Sequence, residues 1–186
     1  MPHENEIDAK TLAEWLENFN DESPNIFEVF QENEIILTKD IYETLCTDED
    51  YYLRFYMGLT ENDTPKIIAV AAAPDNGVYT DVLEEGQIYE VYTQSSISLE
   101  TAQGFIDNWK DNSGDDLFKY AFLIPRTNLV KLFETDGLDE IKIYFGLDDE
   151  IKAIQQKPSL GSGDPALDRN APCPPFCGND SSLINS

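Results

Sequence analysis

ISLETAQGFIDNW at 97–109 lies over IDAKTLAEWLENF at 7–19 at a constant offset of 90 residues (101 against 11). Thr101 falls on Thr11, Asn108 on Asn18, Phe105 on Trp15, Ile106 on Leu16 and Trp109 on Phe19. Further on, RTNLVKLFETDGLDEIKIYFGL at 126–147 lies over TKDIYETLCTDEDYYLRFYMGL at 38–59, at an offset of 88 (144 against 56). Here Thr135-Asp136 falls on Thr47-Asp48, Glu134 on Cys46, Lys142 on Arg54, Tyr144 on Tyr56 and Gly146-Leu147 on Gly58-Leu59. Identities are modest, but apolar positions coincide, the signature of an internal repeat. The change of offset fits a loop-length difference near residues 31–34. The chain reads as a first repeat unit with a hairpin (7–94), a second unit (95–156), and a Pro/Gly/Ser-rich linker and tail (157–186).

Each unit opens on an amphipathic helix. Leu12, Trp15, Leu16 and Phe19 recur at helical spacing, as do Ala102, Phe105, Ile106 and Trp109. Asp8 and Ser98, both favoured N-caps, stand at one register before them. Turn clusters at 21–24 and 111–116 separate these helices from strands expected at 26–31 and 117–124. Short helices follow at about 38–46, with Thr38 as a possible cap, and 126–134, with Pro125 at its start. The strands LRFYM (53–57) and IKIYF (141–145) alternate, with Leu53, Phe55 and Met57 opposed to Arg54, Tyr56 and Gly58, and Ile141, Ile143 and Phe145 opposed to Lys142, Tyr144 and Gly146. Asn76-Gly77 marks a hairpin between β-rich runs, QIYEVYT (87–93) reads as a strand, and a short strand is expected at about 150–155. The fold class is α+β: a mixed, mostly antiparallel sheet with two longer amphipathic helices, two short ones and a pseudo-two-fold. The aliphatic strand faces are expected to pack on the long helices.

With 37 acidic against 12 basic residues, the formal charge of −25 argues against binding a phosphate backbone or an anionic membrane. No apolar run approaches the ~20 residues of a membrane span, and MPHENEIDAK has neither the basic start nor the apolar core of a secretory signal. With three cysteines and no signal, a disulfide framework is not expected and the reading is cytoplasmic. The bland meaning of the acidity is a soluble, self-repelling surface. The sharp one is mimicry of nucleic acid toward a basic protein.

Histidine chemistry is poorly served, because His3 is the one histidine and lies in a polar terminal segment. There is no Gly-rich phosphate loop or zinc-hydrolase helix motif. The acidic loops at 111–116 and 148–150 offer calcium ligands, but the first, with Asp111, Ser113 and Asp115 in alternation, lacks the sixth-position glycine and distal glutamate of a calcium loop, and both read as solvated turns. Two places merit attention. Arg54/Tyr56 and Lys142/Tyr144 put a base and a phenol at one register in both units, which suits an anionic or carboxylate partner. The alternative is that each base pairs with a neighbouring strand's carboxylate and each tyrosine, Tyr56 and Tyr144, packs with its hydroxyl at the surface. In the tail, Cys173 and Cys177 bracket Pro174-Pro175-Phe176. An extended Pro-Pro segment holds them roughly 12 Å apart, beyond disulfide reach unless a turn closes it, and zinc needs two further ligands. Redox or covalent attachment stays open beside an ordered plug. Cys46 reads as a tolerated helix residue.

The segments SLETAQGFIDNW (98–109), IKIYFGL (141–147), IIAVAAAPDNGVYTD (67–81) and PCPPFCG (172–178) together resemble a family of short bacterial proteins of uncharacterised role built on one such unit. This chain departs by carrying two units, the hairpin kept in the first and the cysteine ending in the second. The resemblance implies no catalytic residue and no cofactor. The expected function is a non-enzymatic acidic cytosolic interaction or assembly module, through a protein partner or self-association, without nucleic acid or membrane. The alternatives are chemistry at Cys173/Cys177 and immunity-type inhibition of a basic partner.

Overall fold

The computed structural model describes residues 6–22, 30, 34–112, 120–148, 151–156, 166–167, 171–173 and 183. In chain order they form β1 (Glu6–Ile7), α1 (Ala9–Glu22), β2 (Ile35–Thr38), α2 (Lys39–Leu45), β3 (Tyr52–Leu59), β4 (Pro65–Asp75), β5 (Val78–Val82), β6 (Ile88–Glu90) and β7 (Ser95–Ser96). Then come α3 (Leu99–Asp111), β8 (Ala121–Ile124), α4, β9 (Glu140–Leu147), β10 (Ile151–Gln156), β11 (Ala166–Leu167) and β12 (Ala171–Cys173). Helix α4 is α-helical over Arg126–Leu129 and wider-wound over Val130–Thr135.

Local chemistry sets the element ends. Asp8 Oδ1 accepts the Thr11 N–H at 2.8 Å and Ser98 Oγ accepts the Thr101 N–H at 3.1 Å, so both long helices start at their expected caps. The backbone bond from Thr11 holds the Asp8 carboxyl below its ordinary value. Thr38 precedes α2 but does not cap it, since its hydroxyl bonds to Gln94 at 2.9 Å. Asn76 and Gly77 both have positive φ (49° and 89°), as a two-residue hairpin turn with the sheet's twist requires. The strand expected over 87–93 stops at Glu90, whose carboxylate accepts the N–H groups of Tyr92 and Thr93 at 3.0 Å each and turns the chain. Of the strand expected over 26–31, only Phe30 is among the described residues, and it is helical.

The architecture is α+β, with the strands divided between two antiparallel sheets. The larger runs β12-β8-β3-β4-β6-β7, with β5 also on β4; the smaller runs β1-β11-β10-β9-β2. The two halves of the chain exchange elements. β2 pairs with β9, Ile35 opposite Ile143, and β8 pairs with β3, Ile124 opposite Leu53. Helix α1 packs on β9 and α3 on β3. Residues matched in the sequence make corresponding contacts: Asn18 donates to the Leu147 carbonyl at 3.2 Å, Asn108 to that of Leu59 at 3.1 Å.

The core corrects the expected packing. The Leu53/Phe55/Met57 and Ile141/Ile143/Phe145 faces share one central cluster between the sheets, which the long helices enter only at one end, through Phe19, stacked on Phe145 at 5.9 Å, and Trp109. Phe122, opposite Phe55 in the larger sheet, meets Phe145 of the smaller with ring centroids 5.5 Å apart. Helices α2 and α4 close this cluster, with Tyr42 stacked on Phe133 at 5.0 Å. The long helices cover the other faces: Ala102 and Ile106 pack with Tyr56, Ile68 and Val70, and Leu12 with Ile154. Strand β3 is thus buried on both sides over Leu53–Leu59, so alternation of residue type along it does not sort buried from exposed, whereas on β9 Ile141, Ile143 and Phe145 are buried and Lys142 and Tyr144 partly exposed. Gly58 and Gly146 let the helices approach, beside Phe105 and Trp15 respectively.

The tail, expected as a linker, has strand pairing where it is described. β11 joins β1 to β10, β12 lies on β8, and Leu183 is fully buried in the cluster under α3.

A Cβ at Gly58 would sit 2.9 Å from Phe105 Cβ and 2.8 Å from Ile68 Cδ1. Gly58→Ala should therefore destabilise by ~1–3 kcal/mol. Gly146→Ala should cost a similar amount, since a Cβ there would sit 2.6 Å from Ile154 Cδ1 and 3.1 Å from Trp15 Cβ. Gly104 on α3 faces open space, so Gly104→Ala should stabilise by up to ~1 kcal/mol. Trp109 is fully buried while Trp15 is partly exposed, so Trp109→Ala should cost ~3–5 kcal/mol and Trp15→Ala less. Urea denaturation reads all five; equal losses at Gly58 and Gly104 would contradict the close approach.

Candidate functional site

Arg54 and Tyr56 stand on the side of β3 that α3 covers, and both are fully buried. A guanidinium there needs an opposite charge and acceptors, because an unpaired buried ion is very costly. Asp81 on β5 supplies the charge: its Oδ1 pairs with Arg54 Nη1, and neither side chain is exposed. Tyr56 donates its hydroxyl to Asp81 Oδ2 at 2.5 Å and accepts from Arg54 Nη1 at 3.3 Å. Arg54 Nη2 donates to the Tyr79 carbonyl at 2.9 Å. Of the two readings left open at Arg54, the geometry corresponds to pairing with a carboxylate, but one two strands away. The hairpin turn at Asn76-Gly77 delivers it. Asp81 carried no sequence signal beyond its place on that hairpin.

Lys142 and Tyr144 lie in the other sheet, under α1, so the four residues do not share one face. Lys142 is 18% exposed and pairs with Glu34, which is 68% exposed. The hydrogen bond to Glu34 raises the Lys142 pKa. Together with Leu16, Phe19, Phe30 and Phe145, the pair lines a cleft of about 170 Å³. Among the described residues its lining is largely apolar, with Asn20 and Tyr144 polar and the charged groups at Lys142 and Glu34.

A second, more polar cleft lies between α2 and α4, lined by Tyr42, Cys46, Arg126 and Glu134 among others. Tyr42 donates to Glu134 at 2.6 Å, and Arg126 Nη2 lies 3.5 Å from the same carboxylate. Arg126 Nη1 donates to the carbonyls of Cys46 at 2.8 Å and Asp48 at 3.0 Å. Burial pushes the Cys46 thiol up to about 12 despite Arg126 beside it, so it holds its proton near neutral pH and is a poor nucleophile. Burial, then the bond to Glu134, likewise raises Tyr42.

Cys173 ends β12 opposite Ala121, and Cys177 lies outside the described residues, as does His3. The acidic loops at 111–116 and 148–150 are described only in part. Among the described residues no three His, Cys, Asp or Glu side chains converge as a metal site, and no helix is long and apolar enough to cross a membrane.

Removing one member of a buried pair strands the other, so Arg54→Met or Asp81→Leu alone should cost ~3–5 kcal/mol. The double variant should recover much of that loss, and a double-mutant cycle by chemical denaturation measures the coupling. At Cys46 the raised pKa means stability is present below the ordinary thiol value of 9.0 and is lost as pH climbs toward about 12. In a Cys173→Ser/Cys177→Ser background, alkylation at pH 8 should run about a thousandfold slower on the folded chain than on the unfolded one. Comparable rates would contradict the burial.

No family model, curated protein or solved structure matches the chain.

Proposed function

We propose that this chain is a non-enzymatic, acidic, cytoplasmic protein-interaction module, built from two copies of one unit, whose partner presents a basic surface. By the residues that carry the resemblance, we place it with the short bacterial proteins of that pattern. The supporting observation is what becomes of the positive charge. Among the described side chains, Lys39, Arg54, Lys66, Lys110, Arg126, Lys131 and Lys142 each pair with a carboxylate, none farther than 3.7 Å. Those seven pairs leave 30 acidic residues (37 less seven) against five basic ones (12 less seven) in the rest of the chain. Such an imbalance speeds encounter with a cationic surface and repels polyanions. Inhibition of a basic toxin or nuclease is one specific form of this function.

The test is affinity capture by the intact chain from lysate of the cells that encode it. The salt is stepped from about 0.15 M to about 1 M, across which exposed charge pairs are strongly screened. The expected result is one discrete basic protein, held in fixed stoichiometry at the lower salt and released as salt rises. Native mass spectrometry of that complex gives the ratio, and of the free chain reports any self-association. A heterogeneous, salt-indifferent set of captured proteins would overturn the reading.

A further inference from the structure

At the register where the first half carries Arg54 and Tyr56, the second carries Lys142 and Tyr144. Both pairs stand on the helix-facing side of a central strand, four and two residues before the glycine that meets the covering helix. In the first half, cation and phenol converge on one carboxylate, with Arg54 on Asp81 Oδ1 and Tyr56 on Oδ2. Among the described residues, the second half has the cation and the phenol but no buried carboxylate as third member. The buried carboxylates among the described residues are Asp81 and Glu90, and both belong to the larger sheet. Lys142 turns instead to Glu34, a residue largely in solvent.

Lys142 also has an apolar cleft beside it, walled by Leu16, Phe19, Phe30 and Phe145. Its volume of about 170 Å³ is close to the ~150 Å³ that admits a benzene ring. We propose that this cleft binds a small amphiphilic monocarboxylate of the arylacetate kind. The ligand's carboxylate takes at Lys142 and Tyr144 the part that Asp81 plays in the first half, and its ring lies among the apolar walls. It replaces Glu34 on Lys142, an exchange that costs little because an ion pair with so exposed a partner is weak. The low-dielectric walls strengthen the new pair. A second negative charge on the ligand is disfavoured by the net charge of −25 around it. The proposal rests on matching the two halves residue by residue and is independent of the interaction reading above.

The experiment is an NMR titration of the isotope-labelled full chain with phenylacetate, and with phenylacetamide as a neutral analogue of the same shape. Saturable shifts are expected for residues 16–20 and 142–146. Phenylacetate should bind about tenfold more tightly than the amide, because only it completes an ion pair in which both donor and acceptor are charged. Lys142→Met should weaken phenylacetate about tenfold and Tyr144→Phe about threefold. Lys142→Arg, which keeps the charge, should retain binding and so separates lost charge from lost fold. Lys110→Met, on another helix, should change nothing. Equal affinity for acid and amide, full binding by Lys142→Met, or no saturable shift in the parent chain would each overturn the proposal.

Discussion

The structure depends on one constraint: β3 and β9 are covered on both faces. Each has a sheet against one side and a long helix against the other, so most side chains on them must suit a dry environment; the exceptions on β9 are Glu140, which is exposed, and Lys142 and Tyr144, which are partly so. The aliphatic and aromatic sides meet that demand by packing into the shared cluster between the sheets. The helix-facing sides meet it in three ways along each strand. A glycine lets the helix come close, a tyrosine supplies bulk with one polar end, and a cation is accepted only with a carboxylate beside it. At Arg54 that carboxylate is buried and comes from β5; at Lys142 it is exposed and comes from the residue before β2. The two strands solve one problem with different degrees of closure, and the open solution is the one that borders a cleft.

What could be read from the sequence was local or periodic. Asp8 and Ser98 cap their helices, and Asn76-Gly77 turns the hairpin, because each acts on backbone within three residues of itself. The helical stripes, the two central strands and the α+β class follow from periodicity. The partner of Arg54 was not legible: Asp81 is 27 residues away in sequence and reaches it past β4. Nor was the layering at β3, where both faces are buried over Leu53–Leu59 and no exposed face distinguishes them. Even short-range readings fail where a side chain has a competing bond. Thr38 is drawn to Gln94 and leaves α2 without its hydroxyl, and Glu90 ends its strand by binding the next two amides.

The distribution of charge links the fold to the proposed role. The described cations are largely engaged in holding elements together: Arg54 ties β3 to β5, Lys66 faces Glu90, and Arg126 joins α4 to the end of α2 through two carbonyls. Such residues fix geometry and contribute little positive potential outward. The acidity of the chain is therefore carried with little local opposition, which suits recognition by charge over a broad area.

The exchange of elements between the halves sets the order of events on the ribosome. Ile35 pairs with Ile143 and Leu53 with Ile124, so neither sheet can close from residues made early. The N-terminal segment, with its apolar α1 stripe and the strand β2, waits unpaired until β9 has left the exit tunnel. Long-range pairing of this kind slows folding and leaves apolar surface open meanwhile. A high density of like charge is one way for a nascent chain to stay apart from its neighbours through that interval. The acidity on which the proposed role draws thus also protects the unfinished molecule.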